Sequence, residues 1–283
     1  MQARTTLTVR QQRLGSELRK LRERAGLTST EAASLLGGPQ SRISNIEAGR
    51  YAVSADRVRT MTRNYACTDD AYAEALASMT GTRPRGWWDE YQELLPPAMV
   101  DIAELESQAV SLRVAVVIHM PGLLQTTAHA RAVMAESVPP MRQHEVEHRV
   151  SYRIKRQAVL YEDTPTPYTA VVHEAALRMG IGGPEVARDQ LAHLLEVSER
   201  DNITLLVVPF GEASFPASGQ PISYASGLVP QLDTVVLDSD HACVFLDAEA
   251  QLARYRAVLD RMEARALSPS RSRDLIRRVS RNN

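Results

Sequence analysis

Glycine breaks at Ala25-Gly26, Gly37-Gly38 and Gly49 cut the start of this chain into helices too short to be stable alone, so they must pack as a bundle. The first carries Leu14, Leu18 and Leu21 at i, i+4 and i+7, one apolar stripe. Thr28-Ser29-Thr30-Glu31 has the S/T-x-x-E form of a capping box and opens a second helix through Leu36. Gly37-Gly38-Pro39 stops it, and Pro39 suits the first turn of the next helix, where no N–H is needed. That third helix, Gln40 to Ala48, buries Ile43 and Ile46 and ends at Gly49. Ser54 caps a fourth helix with Val58, Met61 and Tyr65 inward. A fifth, near Asp69 to Met79, sets Tyr72, Leu76 and Met79 on one side.

Two short helices joined by a glycine-containing turn form the helix-turn-helix pattern, here within residues 14–66. In such a pair the second helix enters the major groove, its N-terminal side chains at base edges. Gln40, Ser41 and Arg42 open that helix, and Ser44 and Asn45 follow one turn on. Gln and Asn can pair with N6 and N7 of adenine, and Ser can donate or accept at several bases. Arg42, Arg50 and the caps at Thr28 and Ser29 are placed for phosphate, which orients without specifying sequence.

A solvated polar helix in any small bundle has the same spacing, and charge separates the two readings. The whole chain has 33 Lys plus Arg against 34 Asp plus Glu, a net −1 that speaks against a nucleic-acid partner. The average misleads. Residues 1–66 hold 12 basic and 5 acidic side chains, a net +7, while the remaining 217 residues hold 21 and 29, a net −8. A basic reading module joined to an acidic body fits these numbers. Aromatic residues, at 5%, are too few for a base-stacking surface, which argues against single strands as the target.

The character changes across residues 80–97, from Thr80-Gly81-Thr82-Arg83-Pro84-Arg85-Gly86 through Trp87-Trp88 to Pro96-Pro97. This places a boundary near residue 81 and divides the chain into domains 1–80 and 81–283. Beyond it, strands are expected at Arg113–Ile118, Tyr168–His173 and Ile203–Val208, with weaker ones at Pro221–Ala225, Thr234–Leu237 and Ala242–Leu246. Helices are expected at Leu123–Ala135, Met141–Tyr161, Pro184–Glu199, Asp247–Ala266 and Ser268–Val279. The expected fold is an all-α N-terminal domain of about five helices followed by a larger α+β domain. No apolar run exceeds five residues (Val114–Ile118), and the N-terminus has no apolar signal region, so a cytoplasmic protein without a membrane span is expected. Cys67 and Cys243 fit no metal or disulfide pattern and read as buried free thiols.

His144-Glu145-Val146-Glu147-His148 is a literal H-E-x-x-H, which on a helix would face two imidazoles toward a zinc ion with Glu145 as general base. The surrounding helix is charged on most sides, however, and no third ligand follows at a recognisable spacing; Glu162 and Glu174 are merely available. Ser214, Ser218 and His241 lack a G-x-S-x-G elbow, and no G-x-G-x-x-G or Walker sequence occurs. Trp87 and Trp88 read as packing at the domain interface. No catalytic residue, metal or cofactor is expected, and the rival enzyme reading is a zinc metallopeptidase fused to a helix-turn-helix.

The run Leu18-Arg-Lys-Leu-Arg-Glu-Arg-Ala-Gly-Leu-Thr28, then Leu36-Gly37, then Gln40-Ser-Arg-Ile-Ser-Asn-Ile-Glu-Ala-Gly-Arg50 resembles the Xre-type, lambda-repressor-like family. By matching positions the resemblance makes Gln40, Ser41, Ser44 and Asn45 base-contacting. Ser29 stands where such proteins often carry a Gln that anchors the helix pair to phosphate, and Gly38-Pro39 replaces the usual apolar residue and Ser. Arg85-Gly-Trp-Trp88, Leu105-Glu106, Pro121-Gly-Leu-Leu-Gln-Thr126, Arg156-Gln157, Glu174 with Leu177, Gln190-Leu191 and Val208-Pro209 are similar, in order, to the actinobacterial antitoxin-like group of Xre-type regulators with a conserved C-terminal domain. That resemblance runs from about residue 14 to 280. It implies a transcriptional regulator that binds double-stranded DNA, as a homodimer on paired half-sites. It also implies a small partner protein encoded nearby, and the C-terminal domain, residues 81–283, is expected to dimerise and to receive a signal from that partner or from a ligand. Its alternative is an antitoxin that neutralises a toxin and autoregulates.

Overall fold

The computed structural model describes residues 7–81, 86–212, 216, 219–239 and 243–281, and its contacts divide into two units, Met1–Gly86 and Trp87–Asn283. In the first, α1 (Val9–Arg24), α2 (Ser29–Leu35), α3 (Gln40–Glu47), α4 (Ala55–Asn64) and α5 (Asp70–Ser78) form a helical bundle. The expected caps are formed. Thr28 Oγ1 accepts from Glu31 N at 3.2 Å while Glu31 Oε2 accepts from Thr28 N at 2.7 Å. Ser54 Oγ accepts from Arg57 N, and Asp69 Oδ1 from Tyr72 N. Pro39 differs: it stands one position before α3 rather than in its first turn, offering only its carbonyl, to Arg42 N at 3.0 Å.

Leu18, Ile43, Val58, Met61 and Leu76 are buried at the centre of this unit. α1 crosses α3 at backbone contact, because a Cβ at Gly15 would lie 2.4 Å from Glu47 O. Gly49, at φ +72°, turns the chain out of α3 in a left-handed conformation that glycine alone adopts cheaply. One end of the bundle is closed by Tyr72, whose hydroxyl donates to Glu17 Oε2 at 2.6 Å; Arg13 and Lys20 each pair with Glu17 Oε1 at 2.8 Å.

The second unit is built on a six-stranded sheet. Its chain order is α6 (Pro97–Gln108), β1 (Ser111–Val116), α7 (Thr127–Ala135), α8 (Gln143–Arg156), β2 (Tyr168–His173), α9 (Glu174–Arg178), α10 (Pro184–Val197), β3 (Ile203–Val208), β4 (Ile222–Ser226), β5 (Thr234–Asp238), β6 (Cys243–Leu246), α11 (Glu249–Arg265) and α12 (Pro269–Ser280). Across the sheet the order is β3-β2-β1-β4-β5-β6, parallel from β3 to β1 and antiparallel beyond. Alternate residues feed two cores. Leu112, Val114, Tyr168, Ala170, Leu205 and Val207 pack toward α9, α10 and α12, while Ala115, Val171, Leu206 and Val235 pack toward Leu252, Leu259 and Met262 of α11. A helical N-terminal region followed by a mixed α and β domain is thus the fold.

Two differences from the sequence expectation lie beside the parallel strands. The helix expected over Leu123–Ala135 is broken: a 3₁₀ turn at Gly122–Leu124 precedes α7, which Thr126 caps by accepting from His129 N. The break exists because Gln125 is buried and its carbonyl accepts from Gln157 Nε2 at 2.7 Å. Helix α6 begins at Pro97, directly after Pro96, with Pro97 in its first turn, where the sequence shows only a change of character. Among the described residues no helix is long and apolar enough to cross a membrane.

Candidate functional site

α3 presents a polar face opposite its buried residues. Ile43 and Ile46 are 1% and 3% exposed, whereas Gln40, Ser41, Arg42 and Ser44 are exposed and Asn45 is half-buried. Gln40 Nε2 donates to Ser29 Oγ at 3.0 Å and to Ser44 Oγ at 2.8 Å, joining the start of α2 to the start of α3. Asn45 O accepts from Arg50 N at 2.8 Å, so Arg50 leaves α3 on the turn that Gly49 makes. The Thr28 hydroxyl is occupied at both ends by Glu31, accepting from its N–H and donating to Oε2 at 2.7 Å. Arg42 and Arg50 have no ion-pair partner among the described residues, unlike Arg13, Arg19, Arg22 and Arg59 of the same unit. Two of the cations without an ion-pair partner among the described residues thus lie at α3 and the turn after it, and Arg63 of α4 is another.

Behind this face stands a buried ion pair the sequence reading missed. Arg22 Nε meets Glu47 Oε1 at 2.7 Å and Nη2 meets Oε2 at 2.9 Å. Tyr65 lies beside it, its phenol pushed up to about 12 by burial and then by Glu47. The signal was available: Glu47 follows Ile43 at i+4 and so falls on the inward stripe, where a carboxylate needs a cation. Arg57 Nη2 adds a bond to Leu36 O at 2.7 Å, fixing the end of α2.

Several of the C-terminal residues that carry the second resemblance are held by hydrogen bonds to one another or to nearby backbone. Gln125 Nε2 donates to Met120 O, Gln157 Nε2 to Gln125 O, and Gln190 Nε2 to Leu124 O, while Gln190 Oε1 accepts from Thr126 N. These carboxamides hold the segment 121–126 by its backbone. Arg156 Nε and Nη2 grip Glu106, with Nε 2.8 Å from Oε2. Glu174 Oε2 accepts from Phe210 N at 2.8 Å, just beyond Val208-Pro209; burial raises its pKa, but that bond and Arg178 outweigh it and hold the carboxyl below its usual range.

Other candidates fall into place as structure. His144 and Glu145 are exposed and His148 half-buried on α8, the two rings 6.0 Å apart and edge-on. Glu145 Oε2 accepts from Arg142 N at 2.7 Å as a helix cap, and no group of three metal-ligating side chains occurs among the described residues. Ser214, Ser218 and His241 lie outside the described residues. Trp87 and Trp88 stack edge-on with each other and join Tyr91 and Tyr152 within the second unit. The cysteines are half-buried rather than buried; burial and then Asp238, which accepts from Cys243 Sγ at 3.0 Å, push that thiol up to about 12.

Residues 13–76 match the helix-turn-helix domain family, which supports a DNA-binding regulator. Residues 99–278 match the domain of unknown function DUF5753. No curated protein and no solved structure matches the chain. The chain belongs to the DUF5753 family, its conserved domain preceded by a helix-turn-helix domain.

Proposed function

We propose that this chain is a cytoplasmic transcriptional regulator of Xre type, in the actinobacterial antitoxin-like group, that reads duplex DNA with α3. Gln40, Ser41, Ser44 and Asn45 address base edges in the major groove, and Ser29, Arg42 and Arg50, with Thr28 at the rim, address phosphates. One module of this size spans few base pairs, so a homodimer covers two half-sites. The C-terminal domain receives a signal, from a small partner protein or a ligand, that sets operator affinity. Its residues are the acidic part of the chain and disfavour nonspecific docking of that domain on DNA.

The carrying observation is the exposed polar row Gln40, Ser41, Arg42, Ser44 directly opposite Ile43 and Ile46, within the matched helix-turn-helix domain. Selection from a random duplex pool tests it. The expected result is an enriched motif with two related half-sites; a pool that stays random overturns the reading.

A further inference from the structure

The start of α3 fixes more than an exposed polar row. Gln40 Nε2 carries two hydrogens, and both are spent: Ser29 Oγ accepts one at 3.0 Å and Ser44 Oγ the other at 2.8 Å. The two acceptors come from different helices. Ser44 follows Gln40 by four residues and so stands on the same face of α3. Ser29 is half-buried as the first residue of α2, where the reciprocal Thr28–Glu31 cap holds the backbone around it. The Gln40 carboxamide is therefore clamped by its nitrogen between α2 and α3.

The oxygen is what remains to meet a base. Gln40 is exposed, and its Oε1 has no partner among the described residues. In the major groove a lone acceptor discriminates in one way. The amino groups at adenine N6 and cytosine N4 donate to it, whereas guanine O6 and N7 and thymine O4 only accept. Pairing with both N6 and N7 of adenine needs an N–H beside the oxygen, and both N–H groups of Gln40 are taken.

We infer that Gln40 reads an amino group, on adenine and cytosine alike, and that Ser29 is the positioning residue that withholds the second contact adenine would otherwise receive. This deepens the proposed reading of duplex DNA by α3 and rests on it. The consequence is a degenerate position in each half-site, A or C against G or T. Giving up the Ser29 bond for one to adenine N7 exchanges two hydrogen bonds of similar strength, so adenine gains little over cytosine while Ser29 is in place. Ser29 accepts with its oxygen and keeps its own O–H for a phosphate.

Selection from a random duplex pool by the parent chain and by Gln40→Ala locates the position, as the one whose preference the variant abolishes. Fluorescence anisotropy then compares the four bases there, with circular dichroism melts to establish that each variant folds. For the parent chain, A and C are expected to bind within about threefold of each other, and G and T at least about tenfold more weakly. Ser29→Ala frees one N–H and is expected to favour adenine over cytosine by about tenfold, beyond any loss common to all duplexes. Ser29→Thr, which keeps the hydroxyl, is expected to keep the parent ratio. A merely structural role for Ser29 would lower every affinity and leave the ratio of A to C unchanged, and that result overturns the inference. Preference for G or T, which needs Nε2 toward the base, overturns it, as does an adenine preference of about tenfold in the parent chain. An enriched motif with no position sensitive to Gln40→Ala overturns this assignment alone; a pool that stays random overturns the duplex reading and this assignment with it.

Discussion

Arg22 holds Glu47 by two parallel hydrogen bonds while its third nitrogen, Nη1, reaches Leu27 O at 2.7 Å. One guanidinium thereby joins α1, the last turn of α3 and the entry to α2. Both side chains are buried, at 9% and 6% exposure, so the pair locks the angle of α3 more than it adds net stability.

Removing one partner strands the other charge. Glu47→Ala is expected to destabilise the helix-turn-helix unit by about 3 kcal/mol. Hydrogen exchange of the α3 amides in the full chain measures this directly. The double variant Arg22→Met, Glu47→Leu is expected to be more stable than Glu47→Ala, since it leaves no unpaired buried charge at this site.

Gly15→Ala tests the closeness of α1 to α3. Helix propensity alone favours alanine by about 1 kcal/mol. The new Cβ, however, meets Glu47 O at 2.4 Å and Ile46 O at 2.7 Å, backbone atoms that cannot rotate away. A net loss of about 1–3 kcal/mol is expected in thermal melts, with weaker operator binding because α3 is displaced.

The helix-turn-helix was legible because its signals are local: capping residues, glycine stops and the Leu14–Leu18–Leu21 and Ile43–Ile46 stripes all act within a turn or two. Strands β2 and β3 were equally plain, as β-branched runs flanked by polar segments. What the sequence hides is long-range. The Arg22–Glu47 and Glu106–Arg156 pairs span 25 and 50 residues. The break before α7 depends on carboxamides at Gln157 and Gln190, and no periodicity within residues 121–135 records it. Helix α6 was obscured by Pro96-Pro97, which marks a helix start as readily as a linker.

His129 makes stability depend on pH. Burial, then His119 and Arg153, push its imidazole from 6.5 down to about 4. The unfolded chain therefore takes up the proton first as pH falls. Stability is whole above about 6.5, is lost through the window down to about 4 by about 3 kcal/mol, and changes no further from this group below it. His129→Met removes nitrogens that have no partner, so denaturant melts of this variant are expected to lose that slope while matching the parent near neutral pH.

Arg42 and Arg50, without an ion-pair partner among the described residues, are expected to act on DNA through charge. Alanine at either position weakens binding to every duplex alike and lowers the salt slope by about 1. Affinities from 50 to 200 mM salt provide the check; an unchanged slope removes that residue from the phosphate contacts.

The central claim is that α3 reads bases. Fluorescence anisotropy of the parent chain and Gln40→Ala, on the selected duplex and on a scrambled one, tests it most directly. The account predicts a loss of about 1–3 kcal/mol on the selected duplex and little change on the scrambled one. Equal losses on both contradict base readout by Gln40 and leave α3 as a backbone contact.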